Sequence, residues 1–282
     1  MSRLAALCLI AVLGLAAVAS AAVVGGTDAR ERLNGTAEVD VIDARGGRDV
    51  VKGLGGDDVI GGGGGNDRLY GSEGRDTLNG DAGNDRLWGG EGDDLGLDGG
   101  DGADWIAGGE GDDVIDGGPF EDSLYGNAGA DRINGGVGPV PAEDDVFGGD
   151  GDDVLDGGDG RDLVAGGSGD DTLTGGTGDD LLLGNLGVDE MFGGDGDDVL
   201  WGLAYGDSLP VDDRADTLHG GGGDDVFRTR DGEADRIECG DGRDRVIGDV
   251  ADVLLDPEAC EKVTRLSPGS LRPGKDPGAE TR

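Results

Sequence analysis

The chain has 282 residues, 65 of them glycine and only 4% aromatic, and carries a formal charge of −41. That composition excludes a packed globule of ordinary make-up, and the missing basic footprint argues against nucleic acid as a partner. By charge and hydropathy alone it belongs with disordered acidic chains, and cations are the partners such a field calls for.

Residues 1–21 read as a secretory signal peptide: Arg3, an apolar run over 4–18, then Ala19-Ser20-Ala21 as a small-residue cleavage site. A retained anchor is the alternative, but the run is short and no second apolar stretch of spanning length follows it. A secreted, extracellular chain with no membrane insertion is the expectation, and Cys8 leaves with the signal.

From Glu31 onward an acid recurs every nine residues: Asp40, Asp49, Asp58, Asp67, Asp76, Asp85 and Asp94. After one extra residue the series resumes at Asp104, Asp113, Asp122 and Asp131. A four-residue insertion around Pro139-Val140-Pro141 follows, then an unbroken run from Asp144 to Asp225, a slip of one, and Asp235 and Asp244. The residue two places after the acid is apolar almost every time, beginning Leu33, Ile42, Val51, Ile60 and Leu69. The unit is G-G-x-G-x-D-x-U-x, with U a large aliphatic residue, in about 24 copies over 22–247. Complete copies include residues 62–67, 89–94, 108–113, 148–153, 166–171 and 193–198.

The residues x-U-x suit a short strand with U on one side and its neighbours on the other. The glycines suit a turn that other residues resist. Two units then make one coil of 18 residues, stacking into two parallel sheets with U inside; 12 coils would span about 58 Å at about 4.8 Å each. One buried aliphatic side chain for every nine ordered residues does not offset the backbone entropy lost.

The repeats closely resemble the RTX (repeats-in-toxin) hemolysin-type calcium-binding nonapeptide. The resemblance implies an all-β, right-handed parallel β-roll that folds on binding multiple Ca2+ ions. Each ion would lie between the turns of repeats i and i+2, held by the sixth-place acid and glycine-region carbonyls. Candidate metal ligands are Asp58, Asp67, Asp76, Asp85, Asp94, Asp104, Asp113, Asp131, Asp153, Asp162, Asp171, Asp180, Asp189, Asp198 and Asp225. The Asp122 turn, with Pro119-Phe120 in place of x-Gly, and the glycine-poor segments 202–207 and 211–216 are expected to bind calcium badly, although Leu209 and Leu218 keep the hydrophobic register and coils should continue there. Many members leave the cell through an uncleaved C-terminal signal; this chain carries an N-terminal one.

Towards the C-terminus, Cys239 and Cys260 are the remaining cysteines, an even count. Their surroundings resemble a cap found on some secreted repeat proteins, which implies a disulfide and a cap over 248–263, since solenoids need closed ends. Residues 264–282 are rich in Pro, Gly and charge and read as a disordered tail.

Catalytic chemistry finds little support. The single histidine, His219, stands at an outward ninth place, which rules out an H-E-x-x-H zinc site. No EF-hand spacing occurs, and the many G-x-G-x-x-G matches sit in no strand–turn–helix context. Alternate repeats lie on opposite sheets, and their ninth places differ. One set reads Lys52, Tyr70, Trp88, Ala107, Tyr125, Phe147, Ala165, Leu183, Trp201, His219; the other begins Asp43, Gly61, Asn79, Asp98, Asp116, Asn134. Tyr70, Trp88, Trp105, Tyr125, Phe147 and Trp201 thus form a candidate docking face for a cell-wall glycan, a protein partner or a second copy; β-propensity alone is the alternative. The expectation is a non-enzymatic extracellular binding or structural module. The competing readings are a polysaccharide lyase or epimerase on a β-helix face, and a toxin, for which no apolar pore-forming segment is found.

Overall fold

The computed structural model describes residues 21–138, 141–202, 214–230 and 232–266. The expected signal peptide before Ala21, the tail beyond 266, Leu209 and the turn at 202–207 beyond Gly202 lie outside the described residues.

Among the described residues, twenty-six short strands make two parallel sheets of 13 strands each, with successive strands alternating between the sheets. Neighbours within a sheet are one coil apart, as in Val41↔Val59 and Ile106↔Leu124. The aliphatic U residues face inward and form one continuous core: Leu69, Leu87, Ile106 and Leu124 from one sheet and Ile60, Leu78, Leu97 and Ile115 from the other, all at most 1% exposed. The chain is thus a parallel β-roll, as the nine-residue period requires. No helix among the described residues is long and apolar enough to cross a membrane.

Irregularities in the repeat are absorbed in the turns, because slipping a strand by one residue would turn its U side chain outward. The single insertion before Leu97 leaves it paired with Leu78 and Ile115. The longer insertion leaves Ile133 paired with Leu155.

One departure corrects the expected register. Val199 pairs with Val226 and Glu190 with Thr217, a spacing of 27 instead of 18, so each sheet steps over one nonapeptide between Trp201 and Thr217. The segments within the step have lost most of their turn glycines, and glycine is the residue that takes tight-coil backbone angles at no steric cost. The step reverses the parity of everything downstream. His219, expected on the aromatic sheet, pairs with Phe192 on the other one.

The solenoid also runs further at each end than the acid series. Val23–Gly25 pairs with Val41–Asp43 ahead of the Glu31 unit. Val253–Leu254 and Lys262–Leu266 pair onto the last regular strands, and Cys239 and Cys260 are joined by a disulfide that ties this final coil to the one before it.

Candidate metal centres

The second and fourth glycines of a turn occupy the left-handed region, as in Gly63 (φ 88°) and Gly65 (φ 132°). A Cβ on Gly65 would run into the Gly47 carbonyl of the preceding coil. The first glycine is needed for a different reason. A methyl group on Gly175 would stand 2.5 Å from Asp180 Oδ2 and 2.5 Å from the carbonyl oxygen of Gly193 on the next coil. A carboxylate oxygen and a carbonyl oxygen therefore crowd the space that only glycine leaves. Gly175→Ala is expected to displace Asp180 and cost roughly 2 kcal/mol, read as a shift of the calcium-folding midpoint to higher calcium. Thr177→Ala, at the exposed third place of the same turn, should leave the midpoint where it is.

The sixth-place acids form two rows, one along each edge of the roll. Asp58, Asp76, Asp94, Asp113, Asp131, Asp153, Asp171 and Asp189 stand on the first edge, and Asp67, Asp85, Asp104, Asp162, Asp180, Asp198 and Asp225 on the second. Within a row the N–H of each aspartate donates to Oδ1 of its counterpart one coil further on: Asp40 to Asp58 at 2.7 Å, Asp94 to Asp113 at 2.8 Å, Asp162 to Asp180 at 2.8 Å. These carboxylates are almost fully covered, with Asp94 0%, Asp113 1% and Asp153 1% exposed.

The second oxygen has nothing to bond to. Oδ2 is buried without a hydrogen-bond partner at Asp58, Asp67, Asp76, Asp85, Asp94, Asp104, Asp113, Asp131, Asp153, Asp162, Asp171, Asp180, Asp198 and Asp225. A buried carboxylate oxygen left unpaired is costly, and here the cost recurs on every coil. The proton affinities register it. Burial, reinforced by the neighbouring Asp94 and Asp131, pushes Asp113 up to about 7; burial with Asp189, Asp153 and Asp152 pushes Asp171 up to about 8. Backbone N–H donation pulls the other way and is outweighed.

The rows take in acids that the repeat reading left aside. Asp49, Asp122, Asp144 and Asp244 carry the same buried, partnerless Oδ2. Asp122 is held there although Phe120, at the fourth place of its turn, must adopt φ 96°. Asp144 arrives in register although four extra residues precede it, and its N–H donates to Asp162. Asp216, beyond the stepped-over nonapeptide, accepts from Asp189, and Glu261 ends the second row by accepting from the Asp244 N–H at 2.6 Å. The unbroken nine-residue spacing was the available signal for Asp49, Asp122, Asp144 and Asp244; nothing in the spacing marks Glu261.

These residues fit a hard cation. Calcium takes 6–8 oxygens from carboxylates and backbone carbonyls, and a positive charge on Oδ2 supplies the missing partner. No three carboxylates converge among the described residues, because a row places one acid per coil; the rest of each shell would come from turn carbonyls such as that of Gly193. Cys239, Cys260 and Asp256 do lie together, but the sulfurs are joined, and the Asp256 carboxylate accepts from the N–H groups of Cys239 and Gly240 at 2.9 and 3.1 Å. That cluster fastens the end of the roll.

The aromatic residues gather on one sheet. Tyr70, Trp88, Trp105, Tyr125 and Phe147 form a continuous ribbon with centroid spacings of 4.5, 5.0, 5.5 and 5.1 Å, and Lys52 covers Tyr70 at its head. Trp201 lies on the same sheet but apart from the ribbon, under Arg228 at 4.9 Å. On the other sheet His219 stacks on Phe192 and meets Glu238 at 2.7 Å.

Against known families, the model of the RTX calcium-binding nonapeptide repeat (4 copies) matches in overlapping segments: residues 25–60, 61–95, 97–124, 108–139, 142–173, 165–200, 174–209, 201–233 and 210–246. The chain belongs to that family. No curated protein matches it. The matched segments span the turns that carry the two carboxylate rows, stacked in a parallel β-roll. The RTX match extends across residues 202–216, within the 27-residue step from Val199 to Val226.

Proposed function

We propose that this RTX protein is a secreted rod that folds on calcium outside the cell and serves there as a binding or structural module. The observation that carries the proposal is the pair of buried carboxylate rows, in which Asp58, Asp94, Asp113, Asp162, Asp180 and others leave one oxygen without a hydrogen-bond partner. Such a structure is self-repelling at neutral pH without cations and self-consistent with them. A chain of this kind stays extended where free calcium is scarce and folds where it is abundant, which suits export followed by folding. The rod itself supplies a rigid surface, its acids repeating along an edge at the coil spacing.

Each filled site would be held by the sixth-place aspartates of consecutive coils in one row together with turn carbonyls, and the ion would contribute positive charge where the fold concentrates negative charge. Export is tested by expressing the full chain in a secreting host and measuring the intact mass of the protein in the medium. A product lacking residues 1–21 is expected. Full-length chain retained with the cell membrane would overturn the secreted reading while leaving the calcium centres standing.

A further inference from the structure

One feature of the roll runs against its overall charge. The chain has 63 acidic residues against 22 lysines and arginines, yet a groove of about 270 Å3 beside the aromatic ribbon is lined by Arg48, Arg68 and Arg86 with Asn66, Asn84 and Trp105. Arg68 and Arg86 face each other directly on adjacent strands, and Trp105 follows in the same line. Like charges placed opposite each other across a sheet destabilise it. None of the three arginines joins an ion pair among the described residues.

Asp67, Asp85 and Asp104 form the floor of the groove. Their carboxylates are at most 4% exposed and belong to the second metal row. With calcium in that row the floor is neutralised, and the guanidiniums become the charge that the groove presents.

We infer that this groove binds an acidic polysaccharide, a chain of uronic acid sugars lying along the rod. Three observations select that chemistry. Guanidinium forks match planar carboxylates bidentately, and Arg68 and Arg86 repeat at the coil spacing, as the carboxylates of a polymer repeat along its length. The Asn66 and Asn84 amides offer donors and acceptors for sugar hydroxyls. Trp105 is tilted by 48° to Trp88 and by 38° to Tyr125, out of the face-to-face stacking of the other ribbon pairs, and lines the groove, where an indole can lie against sugar C–H groups. The inference rests on the calcium reading only for the fold and the neutral floor; it does not need the export reading.

The test is titration of short galacturonate oligomers into the calcium-folded protein by calorimetry, with circular dichroism on each sample to confirm the fold. Neutral glucan oligomers of equal length and inorganic phosphate are the comparison probes. Binding of the galacturonates that weakens with salt, and falls roughly tenfold for each of Arg68→Gln and Arg86→Gln and several-fold for Trp105→Thr, is the expected result. Phe192→Thr on the opposite sheet should leave it unchanged. Equal binding of the neutral oligomers, displacement by phosphate alone, galacturonate binding indifferent to the arginine substitutions, or no binding by protein shown to be folded would each overturn the inference. A sample that fails to fold with calcium would instead count against the calcium reading.

Discussion

Chelating calcium at pH 8 is expected to convert the chain from a β spectrum to a coil spectrum, and returning calcium should restore it in one cooperative step, with magnesium failing to do so. The rod's core is a single file of aliphatic side chains from each sheet, one per nine residues, and it cannot by itself offset the entropy of ordering a glycine-rich backbone. Against it stand two rows of buried carboxylates with partnerless oxygens. Calcium bound in the rows would turn that liability into the main stabilising interaction. Each filled site adds about 2.7 kcal/mol when free calcium is about a hundredfold above its dissociation constant. Because each aspartate is bonded to the next coil's carboxylate, neighbouring sites must fill together, and cooperativity follows. Magnesium holds its waters and demands a stricter octahedron, which one carboxylate per coil and a run of carbonyls does not provide. A circular dichroism titration decides: a β spectrum that persists in chelator would show that the rod stands without metal, and the rows would lose their proposed role.

The period of nine made the fold legible, because each element of the unit has one physical task. The U residues mark the core, the glycines mark the turns and the acid marks the edge, and in the structure Leu69, Leu87 and Leu124 are buried where that pattern puts them. What the spacing could not reveal were the places where tertiary pairing overrides local register. The nine-residue series runs on through Asp207, yet Val199 pairs with Val226, 27 residues on, where the repeat would pair residues 18 apart. The consequence is non-local: every strand after it changes sides, which is why His219 meets Phe192 rather than Trp201. The ends were hidden for the opposite reason. Val23–Gly25 and Lys262–Leu266 lie outside the acid series and become strands because an exposed sheet edge offers unpaired backbone groups to any extended segment beside it. The candidate site was readable as residue types; the partnerless oxygen of residues such as Asp94 and Asp113 required the structure, since it depends on which oxygen the neighbouring coil takes.

Lowering the pH should replace calcium. Without metal, burial holds Asp58 at about 6, Asp94 at about 7 and Asp198 at about 8, with neighbouring carboxylates adding to it. The folded state therefore binds protons that the unfolded chain, titrating near 3.8, has already released, and stability falls as pH rises through that interval. Below about pH 4 both states are protonated, and the penalty vanishes. Between about pH 4 and pH 8 it accumulates, and it is complete above the highest of the folded values. A carboxyl held at about 6 costs roughly 3 kcal/mol at neutral pH, so a handful of them suffices to consume the 5–15 kcal/mol by which a domain is ordinarily stable. The metal-free chain is accordingly expected to gain β structure as the pH is lowered towards 4 in chelator and to lose it again on return to pH 8. Asp113→Asn and Asp131→Asn together should shift that acid-folding midpoint upward, because neutral amides at adjacent levels of one row remove charge that would otherwise have to be protonated. The same pair should raise the calcium needed to fold at pH 8, since the two amides bind calcium less strongly than carboxylates. Opposite movement of the two midpoints is the signature of carboxylates that repel one another when bare and hold an ion when loaded. If both substitutions weakened folding under acid and calcium alike, Asp113 and Asp131 would be packing residues whose charge is incidental.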